Sequence, residues 1–208
     1  MISEATAVLL GWGAVGIGLW STFLQFRRIQ RRGHEGVSLA TWVLFLFMGI
    51  FWMTYGATRR SPEIIMGSAV IFPLQLAIVV RLEPWRHAGV VLRALGYFVA
   101  LCVLPTLVWG WIGGLVGVGF AMTINRAPQI VELIRHRDAS GVSVTSWHYG
   151  VLGSVLWMLF YAKGHLYGAM AATAFAGVAN GVIASLAAWR HAQTRSAALN
   201  PESVELWL

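Results

Sequence analysis

The amino-acid sequence predicts an all-α integral membrane protein whose seven transmembrane helices form two parallel three-helix bundles joined by a linker helix (3+1+3). Three observations predict this architecture: an apolar composition, seven stretches long enough to cross a bilayer, and an internal repeat. Of the 208 residues, 58% are hydrophobic and 11% are charged, and the mean hydropathy is +0.69. Soluble domains carry roughly 25% charged residues, so the composition excludes that class.

Each of the seven apolar stretches approaches the length of about 20 residues that a helix needs to cross the hydrocarbon core. Their ranges are 6–26, 39–57, 63–80, 90–109, 113–133, 144–162 and 166–189. The predicted organisation is a first three-helix repeat at 1–83, a linker helix at 84–111, a second three-helix repeat at 112–190 and a polar cytoplasmic tail at 191–208.

The internal repeat places the same features at the same points of the two halves. Each copy has a glutamine near the end of its first helix, then a Gly-Val-Ser turn, and two tryptophans in its second helix. The matched pairs, 104 or 105 residues apart, are Gln25/Gln129, Trp42/Trp147 and Trp52/Trp157. Because three spans are an odd number, a direct repeat would be inserted upside down. The extra fourth span restores a common orientation, as in parallel-repeat transporters.

The basic residues predict the orientation of the chain. The formal net charge is +7, but the cations lie at the ends of apolar stretches rather than on a basic soluble face, which argues against nucleic acid as a partner. With the N-terminus outside, only Arg59, Arg60 and Lys163 are external. The cytoplasmic cations would be Arg27, Arg28, Arg31, Arg32, Arg81, Arg86, Arg93, Arg126, Arg135, Arg137, Arg190 and Arg195. This bias predicts a cytoplasmic C-terminus, and the use of Arg over Lys suggests a bacterial inner membrane.

The repeated segments resemble the PQ-loop superfamily, which includes the SWEET and SemiSWEET sugar facilitators and the lysosomal cystine and cationic amino-acid exporters. The resemblance covers nearly the whole chain. It depends on the Pro128-Gln129 pair, the basic turns, the Gly-Val-Ser turn followed by tryptophan, and the Trp-Met pair with a following tyrosine. It implies two three-helix bundles with a solute cavity on the axis between them, and Pro-Gln helices that bend to gate the cytoplasmic side.

The resemblance implies hinge and gate roles near the end of each first helix. Pro128 matches the motif proline, which removes a backbone hydrogen bond and permits a kink, whereas Leu24 occupies the matching position in the first copy. The difference predicts either an asymmetric hinge or a rigid first bundle. Gln25 and Gln129 complete the motif. Ser21 and Asn125, four residues earlier, either line the inner mouth or bond to a carbonyl one turn back.

The candidate solute-binding residues are paired between the two halves. Trp52 and Trp157 match the aromatic position that lines the cavity in sugar-carrying members, although tryptophan also collects at membrane interfaces. Those members also place an asparagine early in the third helix, and this chain has none at that position. Amides two turns later are either packing hydrogen bonds or part of a polar pathway. The candidates are Trp52, Trp157, Gln75, Asn180, Ser68 and Thr173.

Proton coupling, catalysis and cofactor binding have little support in the sequence. The predicted spans contain no aspartate, and His148 is the candidate for proton-linked transport. The alternative is that His148 is a hydrogen-bonded spacer beside Trp147. The sequence shows no phosphate-binding glycine loop and no His/Cys cluster with metal-ligand spacing, so we expect no enzyme activity, no cofactor and no metal.

Three functions are compatible with these patterns. The first is a SWEET-like facilitator that moves a small neutral polar solute, with sugars as the leading candidates, by alternating access. The second is a PQ-loop carrier of amino acids or other metabolites, linked to protons through His148. The third is a membrane scaffold that transports nothing. The expected partners are a small-molecule solute and the lipid bilayer, and the sequence leaves homo-oligomer formation open.

Overall fold

The computed structural model describes residues 3–135 and 138–199, and this part of the chain is helical with connecting turns and no strand. The helices are α1 (Glu4–Arg32), α2 (Leu39–Arg59), α3 (Pro62–Ala69), α4 (Phe72–Arg81), α5 (Ala88–Phe98), α6 (Leu104–Ile124), α7 (Ala127–Arg135), α8 (Val144–Lys163) and α9 (Tyr167–Leu199). A 3₁₀ turn at Pro84–His87 precedes α5, and a π-helical stretch at Val99–Val103 joins α5 to α6. The all-α prediction is confirmed.

Within the described residues, five segments are long and apolar enough to cross a membrane, judged by length and composition. They are Glu4–Arg32, Leu39–Arg59, Pro62–Arg81, Pro84–Arg135 and Tyr167–Ser196. The fourth has 52 residues, which is more than one crossing requires. Helix α8 is not among the five, in keeping with the polar side chains along it. These long apolar helices support an integral membrane protein.

The 52-residue segment folds back on itself at Gly110. This glycine adopts φ 65° and ψ −159°, a conformation that residues with a side chain rarely reach. After the reversal, Gly113 packs against the carbonyl of Pro105, and Gly117 packs against that of Leu101. The Gly-x-x-x-Gly spacing therefore does what small residues do between membrane helices: it lets two backbones approach closely.

Two prolines determine where long helices are interrupted. A proline ring clashes with the carbonyl of the residue four positions earlier. Accordingly, α3 ends at Ala69, four residues before Pro73, and α6 ends at Ile124, four residues before Pro128. The single helix expected over 63–80 is thus broken, whereas α1 passes through Leu24 without interruption.

In each repeat, the third helical segment lies between the other two. The α3/α4 pair packs against both α1 and α2, and α9 packs against α8 and against α6 and α7. Between the repeats, α1 packs along α8, and α2 contacts α6 and α7. The first helix of each repeat therefore faces the second helix of the other.

Candidate functional site

The Gly-Val-Ser turns begin the second helix of each repeat. Ser38 is the N-cap of α2 and accepts a hydrogen bond from the amide of Thr41. Ser143 is the N-cap of α8 and accepts from the amide of Ser146. Serine is favoured here because its hydroxyl satisfies an amide that has no partner within the helix. The repeated turn thus has a local structural cause.

Each turn is held by the glutamine of the opposite repeat. The Nε2 atom of Gln25 donates to the carbonyl of Gly141 over 2.8 Å, and the amide of Ser143 donates to Oε1 of Gln25 over 2.8 Å. With the roles of the repeats exchanged, Gln129 binds the carbonyl of Gly36 at 2.6 Å and the amide of Ser38 at 2.8 Å. We call these two arrangements the glutamine clamps.

The glutamine clamps are buried and lie where the two turns meet. Gln25 and Gln129 are each 1% exposed, so their four hydrogen bonds are shielded from water. The amide of Gly141 also donates to the carbonyl of Glu35 over 3.1 Å. Gly36 has φ 74°, and a Cβ atom there would lie 2.8 Å from the carbonyl oxygen of Asp138. A side chain at Gly36 would therefore force the turns apart.

Next to the clamps, only one of two equivalent polar contacts is made. The hydroxyl of Ser21 donates to the carbonyl of Ser146, and the hydroxyl of Ser146 donates to the carbonyl of Ser21, each over 2.7 Å. The corresponding pair is Asn125 and Thr41. Oδ1 of Asn125 instead accepts from Nη1 of Arg126 over 2.9 Å, and the buried hydroxyl of Thr41 has no partner in the described structure.

Three adjoining cavities, of about 140, 190 and 220 Å³, lie between the two repeats. They share lining residues, and Arg126 borders all three. The six candidate solute-binding residues of the sequence all line at least one of them: Trp52, Ser68, Gln75, Trp157, Thr173 and Asn180. The cavities therefore bring together matched residues from both halves, and their roles in binding stay predictions.

An aromatic stack borders the 220 Å³ cavity. The ring of Tyr161 lies between those of Trp52 and Trp157, with centroid distances of 6.0 and 5.4 Å and interplanar angles of 19° for both pairs. We call these three rings the aromatic stack. On the opposite side, towards the glutamine clamps, Ser21 and Ser146 line the 190 Å³ cavity. The cavities thus lie between the aromatic stack and the clamps.

Arg126 is the functional candidate that the sequence interpretation missed. Sequence reasoning groups it with the cytoplasmic cations, but its side chain is only 8% exposed and lies in the centre of the protein. Nε donates to Oδ1 of Asn180 over 2.6 Å, and Nη1 donates to the Met122 carbonyl and to Asn125. The guanidinium also lies 5.2 Å from the ring centroid of Phe45. The sequence did contain a signal for Arg126: it lies inside the apolar stretch 113–133, and a charged residue inside a membrane span usually marks function.

The remaining candidates are distributed unevenly around the cavities. Ser21 and Asn125 line them, and Ser21 bonds across the repeat boundary rather than one turn back in α1. Leu24 and Pro128 are half-buried, the latter in the first turn of α7. His148 is exposed on α8 and does not line any of the three cavities described above. The hinge and proton-coupling roles stay predictions.

Comparison with known proteins gives one partial similarity. A segment of 45 residues is 38% identical to the protein named "Sugar transporter SemiSWEET" of Vibrio sp. (strain N418). The segment covers 22% of this chain and 46% of that protein, so less than half of the relative is matched. No family model matches the chain, and no solved structure matches it. The apolar helices and this similarity together support a membrane transporter in general terms.

Proposed function

We propose that the chain is a SWEET-like transporter that carries a small polar solute, such as a sugar, by alternating access. Seven spans in a 3+1+3 arrangement would form it, with α5, the π-helical stretch and the start of α6 as the linker. The observation that carries the proposal is a set of central cavities lined from both repeats and bordered by the aromatic stack and the glutamine clamps. The sugar-transporter name of the Vibrio relative supports the same class.

In this mechanism the two borders of the cavities act as alternate gates. The aromatic stack would be the outer gate and the glutamine clamps the inner gate, with the N-terminus outside and the C-terminus in the cytoplasm of a bacterium. The break at Asn125 and Arg126, before Pro128, would be the hinge of the second repeat. Continuous α1 would be the corresponding rigid element.

The cavity linings suit a small solute with an apolar face and several hydroxyl groups. Trp52 and Trp157 provide flat rings for such a face. Side-chain amides and hydroxyls offer both donors and acceptors for hydroxyl groups. Drug-sized ligands occupy pockets of roughly 300–1,000 Å³, so the cavity of about 220 Å³ favours a smaller molecule. Because His148 is exposed on α8, we assign no coupling to it and propose passive facilitation.

The test is uptake of labelled monosaccharides and their acidic derivatives by proteoliposomes that contain the purified protein. We expect saturable uptake above that of protein-free vesicles. Trp52→Ala and Trp157→Ala should each lower the initial rate at least tenfold, because each removes a ring of the aromatic stack that borders the cavity. Trp109→Ala is the matched control: this tryptophan is 69% exposed, and its loss should leave the rate within twofold.

Two results would contradict the proposal. One is uptake at the background level across the whole panel of neutral and acidic solutes, with folded protein verified in the same vesicles. The other is equal loss of uptake in Trp109→Ala and in the two cavity variants, which would indicate a general packing effect rather than a solute site.

A further inference from the structure

Arg126 introduces a permanent charge into an otherwise neutral site. Of the described residues that line the three cavities, it carries the only charged side chain. Arginine keeps its proton in proteins, so the site cannot become neutral by titration. Burying such a charge is costly unless it has a partner, and charges inside membrane segments usually mark a functional path.

The protein partners of Arg126 leave its charge uncompensated. They are a backbone carbonyl, the amide oxygens of Asn125 and Asn180, and the face of the Phe45 ring, all of them neutral. The hydrogen bonds engage Nε and Nη1, which leaves Nη2 with two N–H groups for a solute. The guanidinium is therefore positioned, but its charge lacks a counterpart among the described contacts.

Two more hydrogen-bond donors lie in the same region. Trp42 and Trp147 line the cavity of about 190 Å³ together with Arg126. In the described structure, the buried indole N–H of each has no acceptor. An indole nitrogen can only donate. These two donors without acceptors would suit a solute that brings acceptor oxygens to this side of the site.

We propose that Arg126 binds the negative charge of the solute, so that the transported molecule is a small polyhydroxylated monocarboxylate such as a sugar acid. This inference rests on the proposed function of the central cavities. One guanidinium balances the charge of one carboxylate, and the free N–H groups of Nη2 can donate charge-assisted hydrogen bonds to it. The amides and hydroxyls that suit a sugar would contact the hydroxyl groups. The neutral solute expected from the sequence is thereby replaced by an anionic one.

The first experiment compares two solutes that differ in the charged group. Glucuronate and glucose share a ring, and the carboxylate of the first replaces the hydroxymethyl group of the second. Binding to the purified protein is measured by intrinsic tryptophan fluorescence and thermal unfolding, which do not require transport. We expect glucuronate to bind at least tenfold more tightly than glucose. Equal affinities, or no binding of glucuronate, would overturn the inference without any variant being made.

Variants then assign the preference to Arg126. Arg126→Gln should weaken glucuronate binding at least tenfold and change glucose binding less than twofold, whereas Arg126→Lys should retain part of the preference. Arg190→Gln is the control: Arg190 bonds to the carbonyls of Leu133 and Ile134, and none of the three cavities includes it in its lining. An unchanged preference in folded Arg126→Gln would overturn the assignment.

Flux measurements separate this inference from the proposed function. In proteoliposomes, an inside-positive potential should drive glucuronate uptake, with about a tenfold change in the equilibrium ratio for each 60 mV, and should leave glucose uptake unchanged. Selective glucuronate binding without flux of either solute would contradict the transport function and uphold the anion site. Flux of glucose that exceeds flux of glucuronate would uphold transport and overturn the anion site.

Discussion

The two repeats follow one sequence template, but their helices are interrupted at different places. In the first repeat, α1 is continuous and the third segment is broken between α3 and α4; in the second, α6 and α7 are separate and α9 is continuous. The difference follows the prolines, because Pro73 and Pro128 have Val178 and Leu24 at their matching positions. The position of the helix interruption in each copy of the duplicated unit therefore depends on where a proline stands.

What the repeats share lies at the boundary between them. Both glutamines make the same two bonds to the opposite turn, with donor–acceptor distances of 2.6–2.8 Å. The helix breaks differ while these bonds agree, so the common feature of the two halves is how they bind each other. Three pairs of substitutions at matching or equivalent positions measure how far this equivalence extends.

The largest effect is expected at the glutamine clamps. Gln25→Ala and Gln129→Ala should each lower the free energy of unfolding by about 2–4 kcal/mol, because each leaves one buried carbonyl and one buried amide without a partner. Thermal unfolding followed by tryptophan fluorescence would measure the change. Gln30→Ala, at an exposed position of α1, should stay within about 0.5 kcal/mol of the wild type.

Equal losses in the two clamp variants would establish that the halves are equivalent at their boundary. A difference above about 1 kcal/mol would show that one clamp dominates, and the equivalence drawn from the bond lengths would be wrong.

The next largest effect is expected at a glycine pair 104 residues apart. Gly117 lies against the backbone carbonyl of Leu101, so Gly117→Ala should destabilise the protein by about 1–3 kcal/mol through overpacking. At Gly13, the nearest neighbour of a new Cβ would be a methyl carbon of Leu156 at 3.5 Å. Gly13→Ala should therefore be neutral or stabilise α1 by up to about 1 kcal/mol.

The same unfolding assay tests this pair. The expected result is that the free energy of unfolding falls in Gly117→Ala and is unchanged or rises in Gly13→Ala. Destabilisation of similar size in both variants would mean that α1 and α6 are packed alike, contrary to the close approach of the linker to α6.

The smallest effect is expected at Ser146 and Thr41, which occupy matching positions in α8 and α2. Ser146→Ala removes bonds to Ser21 and should destabilise by about 1 kcal/mol. Thr41→Val should be neutral or stabilise by about 1 kcal/mol, because the Thr41 hydroxyl is buried without a partner. A clear loss of stability in Thr41→Val would indicate that this hydroxyl has an acceptor after all.

The sequence predicted those parts of the cavity lining that repetition makes visible. The pairs Trp52/Trp157 and Gln75/Asn180 were singled out because they recur at a fixed separation, and all four residues line the cavities. Repetition also marked Gln25 and Gln129. It could not identify their bonding partners, because those lie 91 to 118 residues away and depend on how the two halves pack.

The sequence interpretation failed where the two halves differ. Arg126 matches neutral Thr22, so comparison of the copies gave no indication of a central charge, and arginine near a helix end is usually an orientation signal. The break before Pro73 was missed for a related reason: an apolar stretch of about the length of one span was interpreted as one helix. In both cases the residue type itself was the available signal, because a charged residue inside a membrane helix usually marks function and a proline interrupts the helix.

The reciprocity of the glutamine clamps bears on the proposed opening of the inner gate. All four bonds cross one boundary, and each half contributes a glutamine and a turn. Separation of the halves on this side therefore strains both clamps together, and a partly opened arrangement would expose unpaired buried groups without a wider path. Such a boundary favours two discrete arrangements over a continuous series. Opening should therefore be cooperative: the hydrogen bonds of both clamps would break together, and their simultaneous loss would limit the opening rate.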